Sequence, residues 1–194
     1  MFNKKKLLLI GSGGHTTACI DVVEMEKKYE IIGLIDIKKN KILKKYKVVG
    51  NISDLIKLRK KTKNIFISIG QIKTAKLRIE ILEKIKKYGF TLIKIVSPLS
   101  YVSKYSSIGE GTIIMNGVHV GPNVKIGKNC IINTKANIEH GSVIADNCHI
   151  STSVTVNGDV KIEAESFIGS NSVIKEGIII KRGSFIKMGS VVKK

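Results

Sequence analysis

Tryptophan is absent from the 194 residues, and proline occurs only twice, at Pro98 and Pro122. So little proline argues against a proline-rich linker or recognition tail. Three cysteines, Cys19, Cys130 and Cys148, form neither a CxxC pair nor an even framework, so neither a disulfide scaffold nor a cysteine-rich zinc site is indicated. Small buried thiols are the expectation for them. No apolar run approaches a membrane span, since the longest, LLLI at 7–10, is strand-sized. The same run is too short for a secretory h-region, and a cytoplasmic location is expected. Acidic residues are also scarce, 15 Asp plus Glu against 34 Lys plus Arg, which leaves a net charge of +19. Arginine contributes only Arg59, Arg78 and Arg182. The lysines are scattered and aromatics make up 5% of the chain, so no reading helix or stacking platform for nucleic acid emerges. Attraction to an anionic ligand or membrane surface is compatible with the charge.

What is present falls into two halves. Through residue 95, strand-like and helix-like segments alternate. KKLLLIG reads as a strand, 16–29 as a helix with Ala18, Val22 and Met25 at helical spacing, and 30–36 as the next strand. A short helix capped by Ser53, a strand over 64–70, a helix over 73–89 ended by Gly89 and a last strand follow. That alternation predicts a small parallel sheet with flanking helices. The stretch VSPLS at 96–100 breaks the pattern, because proline lacks a donor and constrains its predecessor. A boundary is therefore expected between 1–96 and 97–194.

From Val102 to Val192 every sixth residue is Ile or Val. Four residues after each lies a mostly small or slim one, among them Ser106, Thr112, Cys130, Ala136, Ser142, Cys148, Ser166 and Ser172. A period of six suits neither an α-helix nor a flat sheet. It suits a coil of three short faces, each filled by one branched residue and turned at a small one, about 18 residues per coil.

The hexads IGEGTI, VGPNVK, IGKNCI and IGSNSV resemble those of the hexapeptide-repeat acyltransferases. GSGGH followed by GLID, with INT, IEH and NCHIS further on, is similar to one branch of them. That branch holds the sialic acid O-acetyltransferases and the bacillosamine-type UDP-amino-sugar N-acetyltransferases. The resemblance implies a Rossmann-like α/β domain for nucleotide-sugars, then a left-handed parallel β-helix. It also implies acetyl-CoA as co-substrate and a homotrimer with sites between adjacent coils; no metal is expected, on the spacing of the histidines.

By that resemblance, His140 is the general base, taking a proton from the acceptor's amine or hydroxyl. Histidine suits the task because its ordinary pKa lies near working pH. The residue after this histidine is usually acidic in the resembling enzymes and orients it. Here it is Gly141, which leaves Glu139 or a carboxylate from elsewhere, including a neighbouring subunit; adjacent residues of an extended strand face opposite ways, so Glu139 is poorly placed. The resemblance puts His149, Asn133 and Gly158 at the acetyl-CoA site, with the Gly158 N–H near the acetyl carbonyl as an oxyanion donor. A tight corner is the plainer reading of that glycine. Three zinc ligands among His119, His140 and His149 could converge only across subunits.

In the front half, Gly11, Ser12, Gly13, Gly14 and His15 form a glycine turn opening a helix, where backbone N–H groups and the helix dipole favour a phosphate. Thr16 stands where a dinucleotide fingerprint has its third glycine, so NAD is poorly indicated. Asp36 ends the second strand where a ribose- or base-binding acid belongs. By resemblance Gly70, and Arg78 beside it, belong to a third contact loop. Lys181, Arg182, Lys187, Lys193 and Lys194 are candidates for CoA phosphates. The reading is an acetyltransferase acting on an amino or hydroxyl sugar, nucleotide-activated, in bacterial surface-glycan synthesis. Its alternatives are a non-catalytic sugar-nucleotide-binding scaffold and an O-acetyltransferase for a free nonulosonic acid.

Overall fold

A computed structural model describes residues 4–36 and 45–194. It divides into two compact units, Met1–Gly70 with Leu77–Ile93, and Gln71–Lys76 with Lys94–Lys194.

The first unit is an α/β sandwich. Its strands are β1 (Lys5–Ile10), β2 (Tyr29–Ile35), β3 (Val48–Gly50), β4 (Asn64–Ile67) and β5 (Thr91–Leu92). All pair in parallel in the order β3-β2-β1-β4-β5. Such an order is that of a doubly wound sheet, whose ligands lie beyond the carboxyl ends of the strands. Alternation along β1 sends Leu8 and Ile10 into a cluster with Ile35, Leu55, Ile65, Ile67, Ile81 and Ile85. Leu7 and Leu9 point to the other face and are equally buried.

The helices differ in detail from the periodicity reading. Helix α1 (Gly14–Glu26) stops three residues early because Lys27 adopts a left-handed conformation and closes the last turn onto Val23 O. Its buried positions are Thr16, Cys19, Ile20, Val22 and Val23, so the stripe is centred on Cys19 and not on Ala18 and Met25. Asn51, not Ser53, caps the next helical segment. Its side chain accepts from Ser53 N at 2.8 Å while Asp54 Oδ2 accepts from Asn51 N at 3.0 Å. The α-helical part there, α2 (Leu55–Leu58), is a single turn, and α3 (Lys76–Lys87) starts three residues later than expected.

The second unit is a left-handed parallel β-helix. Strands of two residues run from β6 (Ile95–Val96) to β22 (Val191–Val192), so the coil starts one hexad before Val102. Every third strand pairs in parallel, and each pairing joins residues 18 apart, as His119↔Asn137 and Ile131↔His149. The second residue of each strand points inward, and Ile132, Ile138, Ile150, Val156 and Ile168 are wholly buried. Burying each isoleucine removes apolar surface worth about 1.5–3 kcal/mol.

The slim column has a second task beyond size. Thr112 Oγ1 donates to Gly127 O (2.7 Å) and Ser142 Oγ to Asn157 O (2.8 Å), so each hydroxyl satisfies a carbonyl at a corner. Cys130 Sγ and Cys148 Sγ do the same toward Ala145 O (3.1 Å) and Glu163 O (3.2 Å). Here the thiols stand in for serine. All three cysteines are free and buried. Burial pushes the Cys19 thiol up to about 12; the neighbouring Cys130 thiol, then burial, pushes that of Cys148 far up.

Candidate active site

His140 lies in the turn between β13 (Asn137–Ile138) and β14 (Val143–Ile144), directly below the turn that holds Gly158. Its side chain is exposed and leans onto that glycine. A Cβ built on Gly158 would lie 2.5 Å from His140 Cε1 and 2.7 Å from Nε2, so only glycine lets the imidazole take this position. The plainer reading, a corner that needs glycine for its turn, is thus incomplete, because Gly158 also clears space for the ring. Ladder bonds on either side are made by Asn157 N to Ile174 O and Asp159 N to His140 O, which leaves the Gly158 N–H outside the ladder. A donor so placed, beside an imidazole, is the pairing that base-assisted acyl transfer uses.

Glu139 does not serve His140 in this arrangement. Its Oε1 accepts from Asn137 Nδ2 at 2.7 Å, along the same face of the coil.

His149 sits elsewhere, opening β15 (His149–Ile150) on another face of the coil. Only 6% of it is exposed. Its Nδ1 donates to Gln71 O at 2.5 Å, and in that neutral tautomer Nε2 accepts from Asn133 Nδ2 at 3.3 Å. The ring edge meets Phe167, with centroids 5.2 Å apart. Gln71 in turn donates from Nε2 to Asn147 O at 2.9 Å. The structure therefore joins Asn133 with His149, and His140 with Gly158, as two separate pairs. Gln71 had no signal in the sequence, since a lone glutamine after a glycine marks nothing. His119, a third histidine, stacks on Tyr101 with centroids 5.0 Å apart.

In the α/β unit the glycine turn follows β1. Gly11 has φ +117°, and a Cβ there would fall 2.9 Å from Thr16 Oγ1, so no other residue fits. Around Gly13 and Gly14 a Cβ would meet nothing within 4 Å, which leaves the amino end of α1 open. Ser12 Oγ donates to Asp36 Oδ2 at 2.6 Å, tying the turn to the end of β2. Gly70 lies over His15, whose Cβ is 3.6 Å from the position of an added Cβ. These strand ends adjoin a cleft of about 400 Å³ lined by Ile10, Gly11, Ile35, Asp36, Asn51 and Ile69, with Glu80 and Lys84 among the polar groups of its wall. Apolar walls with a few polar groups suit a flat base.

Arg78 is a correction. It is 1% exposed and donates from Nη1 to Ile67 O (3.1 Å) and Ile69 O (2.5 Å), holding the carbonyls at the end of β4. Burial makes it a support for the Gly70 loop and not a ligand contact. Lys181 and Arg182 pair with Glu163 (3.8 Å) and Glu165 respectively, on the exposed rim of the last coils.

Residues 6–88 match the family model for the PglD N-terminal domain. Residues 105–138 match bacterial transferase hexapeptide repeats, and 159–194 the hexapeptide repeat of succinyl-transferase. No curated protein matches the sequence. Among solved structures, the chain is similar to the acetyltransferase domain of PglB from Neisseria gonorrhoeae FA1090 in complex with acetyl coenzyme A. That likeness has TM-score 0.90 and 24% identity, over 98% of this chain and 92% of the other. WeeI from Acinetobacter baumannii AYE gives 0.87 and 24%, over 98% and 92%. A histidine-to-asparagine variant of perosamine N-acetyltransferase from Caulobacter crescentus, with CoA and GDP-perosamine, gives 0.70 and 23%, over 96% and 92%. At these identities the likeness establishes the fold.

Proposed function

We propose that this chain, a PglD-type N-terminal domain joined to transferase hexapeptide repeats, is an acetyl-CoA-dependent sugar acetyltransferase. Its acceptor is the amine or hydroxyl of a nucleotide-activated sugar, and its product enters bacterial surface glycan. The observation that carries this reading is His140 laid over Gly158, an imidazole beside a backbone N–H left outside the ladder. Structures of the same fold hold acetyl-CoA, or CoA with GDP-perosamine, which supports the choice of both substrates.

In the reaction His140 removes the acceptor's N–H or O–H proton as that atom bonds to the thioester carbonyl carbon. The Gly158 N–H faces the oxygen as it gains charge. The carbon–sulfur bond then breaks, and the CoA sulfur takes the proton from the imidazolium. In the α/β unit, the open end of α1 at Gly13 and Gly14 is suited to the diphosphate, and the cleft at Asp36 to the nucleoside. We infer a homotrimer, because His140 is exposed in one chain and a thioester site needs a second wall to exclude water. We infer a cytoplasmic enzyme, since its three thiols are free and its substrates belong there. Among the described residues no helix is long and apolar enough to cross a membrane.

Incubation with acetyl-CoA and a panel of UDP- and GDP-amino and hydroxy sugars, read by mass spectrometry, tests the assignment. One sugar nucleotide gaining an acetyl group is the expected outcome. Gly141, with no acid of its own, favours the scaffold alternative. Calorimetry showing no acetyl-CoA binding, with every sugar unmodified, would establish the scaffold and end the enzyme reading.

A further inference from the structure

Nothing in the candidate site accounts for the net charge of +19. Lysines that are scattered along the sequence are gathered by the fold of the α/β unit. In a parallel sheet with crossover helices, every strand starts and every helix ends at one edge. Here that edge is basic. Lys4, Lys5 and Lys6 open β1, and Lys27 and Lys28 follow α1. Arg59, Lys60, Lys61 and Lys63 lie between α2 and β4, and Lys86 and Lys87 close α3. Hydrogen bonds tie these separate segments together. Lys5 N donates to Lys28 O (3.2 Å) and Thr91 N to Lys63 O (2.8 Å). Thr62 Oγ1 and Asn64 Nδ2 both donate to Lys6 O (2.8 and 3.0 Å), and Arg59 Nε to Gly89 O (3.1 Å). Apart from half-buried Arg59, all of these cations are exposed.

The acids nearby do not balance them. Glu26 is taken by Lys28 at 2.7 Å, and Glu24 by Lys45 and Tyr46, each at 2.7 Å. Glu30 at the start of β2 and Glu83, one turn back on α3, are what remains. Among the described residues, Lys28 is the one cation of the edge in an ion pair. The helix dipole favours cations at a helix end, which accounts for Lys86 and Lys87 in the last turn of α3. It does not account for Lys4, Lys5 and Lys6, which open a strand. An apolar element adjoins the charge. Ile56 is 60% exposed, and a hollow of about 420 Å³ is lined by Ile56, Tyr88, Arg59, Lys60 and Lys87.

We propose that this edge docks the α/β unit onto an anionic lipid bilayer. A lysine is a compact point charge on a flexible stem, suited to a diffuse anionic surface more than to forked recognition of one phosphate. An exposed isoleucine among cations adds apolar contact at headgroup level. Nucleic acid fits the edge less well. It presents strand starts and helix ends, with no helix laid out to enter a groove, and its rings, Tyr29 and Tyr88, are half buried. Docked in this way, the unit turns the carboxyl ends of its strands away from the bilayer. The glycine turn and the cleft at Asp36 then stay open to a nucleotide-sugar. The inference stands on charge and topology and does not depend on His140 as the base.

Sedimentation with vesicles of phosphatidylglycerol and phosphatidylcholine, against phosphatidylcholine alone, tests this on the full chain. Wild-type protein is expected on the anionic vesicles only, and is released when salt shortens the Debye length to about 3 Å. Each basic residue near such a surface is worth about fivefold in affinity. Lys60→Glu, Lys61→Glu and Lys87→Glu together should therefore lower vesicle binding about a hundredfold or more. Lys125→Glu, Lys161→Glu and Lys175→Glu on the coil make the same change in net charge and should lower it less than about fivefold. Should the edge reversal shift the unfolding midpoint, Lys60→Ala, Lys61→Ala and Lys87→Ala carry the same test. No binding to anionic vesicles, unchanged binding by the edge variant, or equal losses in the edge and coil variants would each overturn the proposal. Duplex DNA held more tightly than the vesicles, and released by the edge variant, would give the edge to nucleic acid and end the membrane reading.

Discussion

The α/β unit carries its chemistry on loops that each occur once, whereas the coil carries it on a lattice that repeats every 18 residues. In the first, Ser12, Asp36 and Gly70 come near one another only because three separate strands end at the same edge of the sheet. In the second, residues one coil apart are stacked by the fold itself, so His140 over Gly158 needs no loop to place it. Loops can be varied to suit a nucleotide without disturbing the core. The lattice fixes side chains within a fraction of a rung spacing, which is what proton transfer demands. On the proposed function, recognition and chemistry fall to the two architectures according to the precision each can give.

That contrast can be broken first through the inward column. Ile138→Ala removes a fully buried side chain from a register with no slack and should cost about 2–5 kcal/mol, read from chemical denaturation. A loss below 1 kcal/mol would mean that the coil relaxes as loops do. Next comes the corner. Gly158→Ala puts a methyl 2.5 Å from His140 Cε1, so the exposed ring must swing away. Turnover should fall about 10²-fold with the unfolding midpoint unchanged, because nothing buried is displaced. An active variant would show that the ring position is incidental.

The smallest effect concerns pH. The Cys19 thiol of the α/β unit is pushed up to about 12 by burial, and that of Cys148 in the coil is pushed further up by the Cys130 thiol and burial. Because these folded values are raised, the unfolded chain loses its thiol protons first. Stability is therefore complete below about pH 8.5, and falls as pH rises from there toward the folded values. The loss is about 1.4 kcal/mol per thiol per pH unit. Denaturation midpoints taken between pH 8 and 10 check the slope, and Cys148→Ser should flatten it while keeping the corner bond to Glu163 O. An unchanged slope in that variant would place the titration elsewhere.

How much could be read from the sequence follows the same division. In the coil, strict periodicity gave the inward column and the corners, since a period of six fixes which residues face in. The stacking of His140 on Gly158 was available from arithmetic, the spacing being 18, yet it needs side-chain directions that spacing alone does not contain. Likewise His149 was placed by resemblance at acetyl-CoA, while its burial under Gln71 comes from a short excursion, 71–76, that no repeat announces. In the α/β unit the strands were legible because apolar runs bounded by glycine leave little choice. The cap at Asn51 was missed in favour of Ser53 because both residue types serve as caps. Arg78 was placed at a contact loop by resemblance alone, which says nothing of burial. Its burial against the carbonyls of Ile67 and Ile69 is a tertiary event.

Single-turnover transfer from acetyl-CoA to the accepted sugar nucleotide, compared between the wild-type protein and His140→Asn at saturating substrates, tests the central claim most directly. A loss of about 10²–10⁴-fold, with acetyl-CoA affinity and the unfolding midpoint both preserved, is the expected result. Equal rates for the two proteins would contradict it.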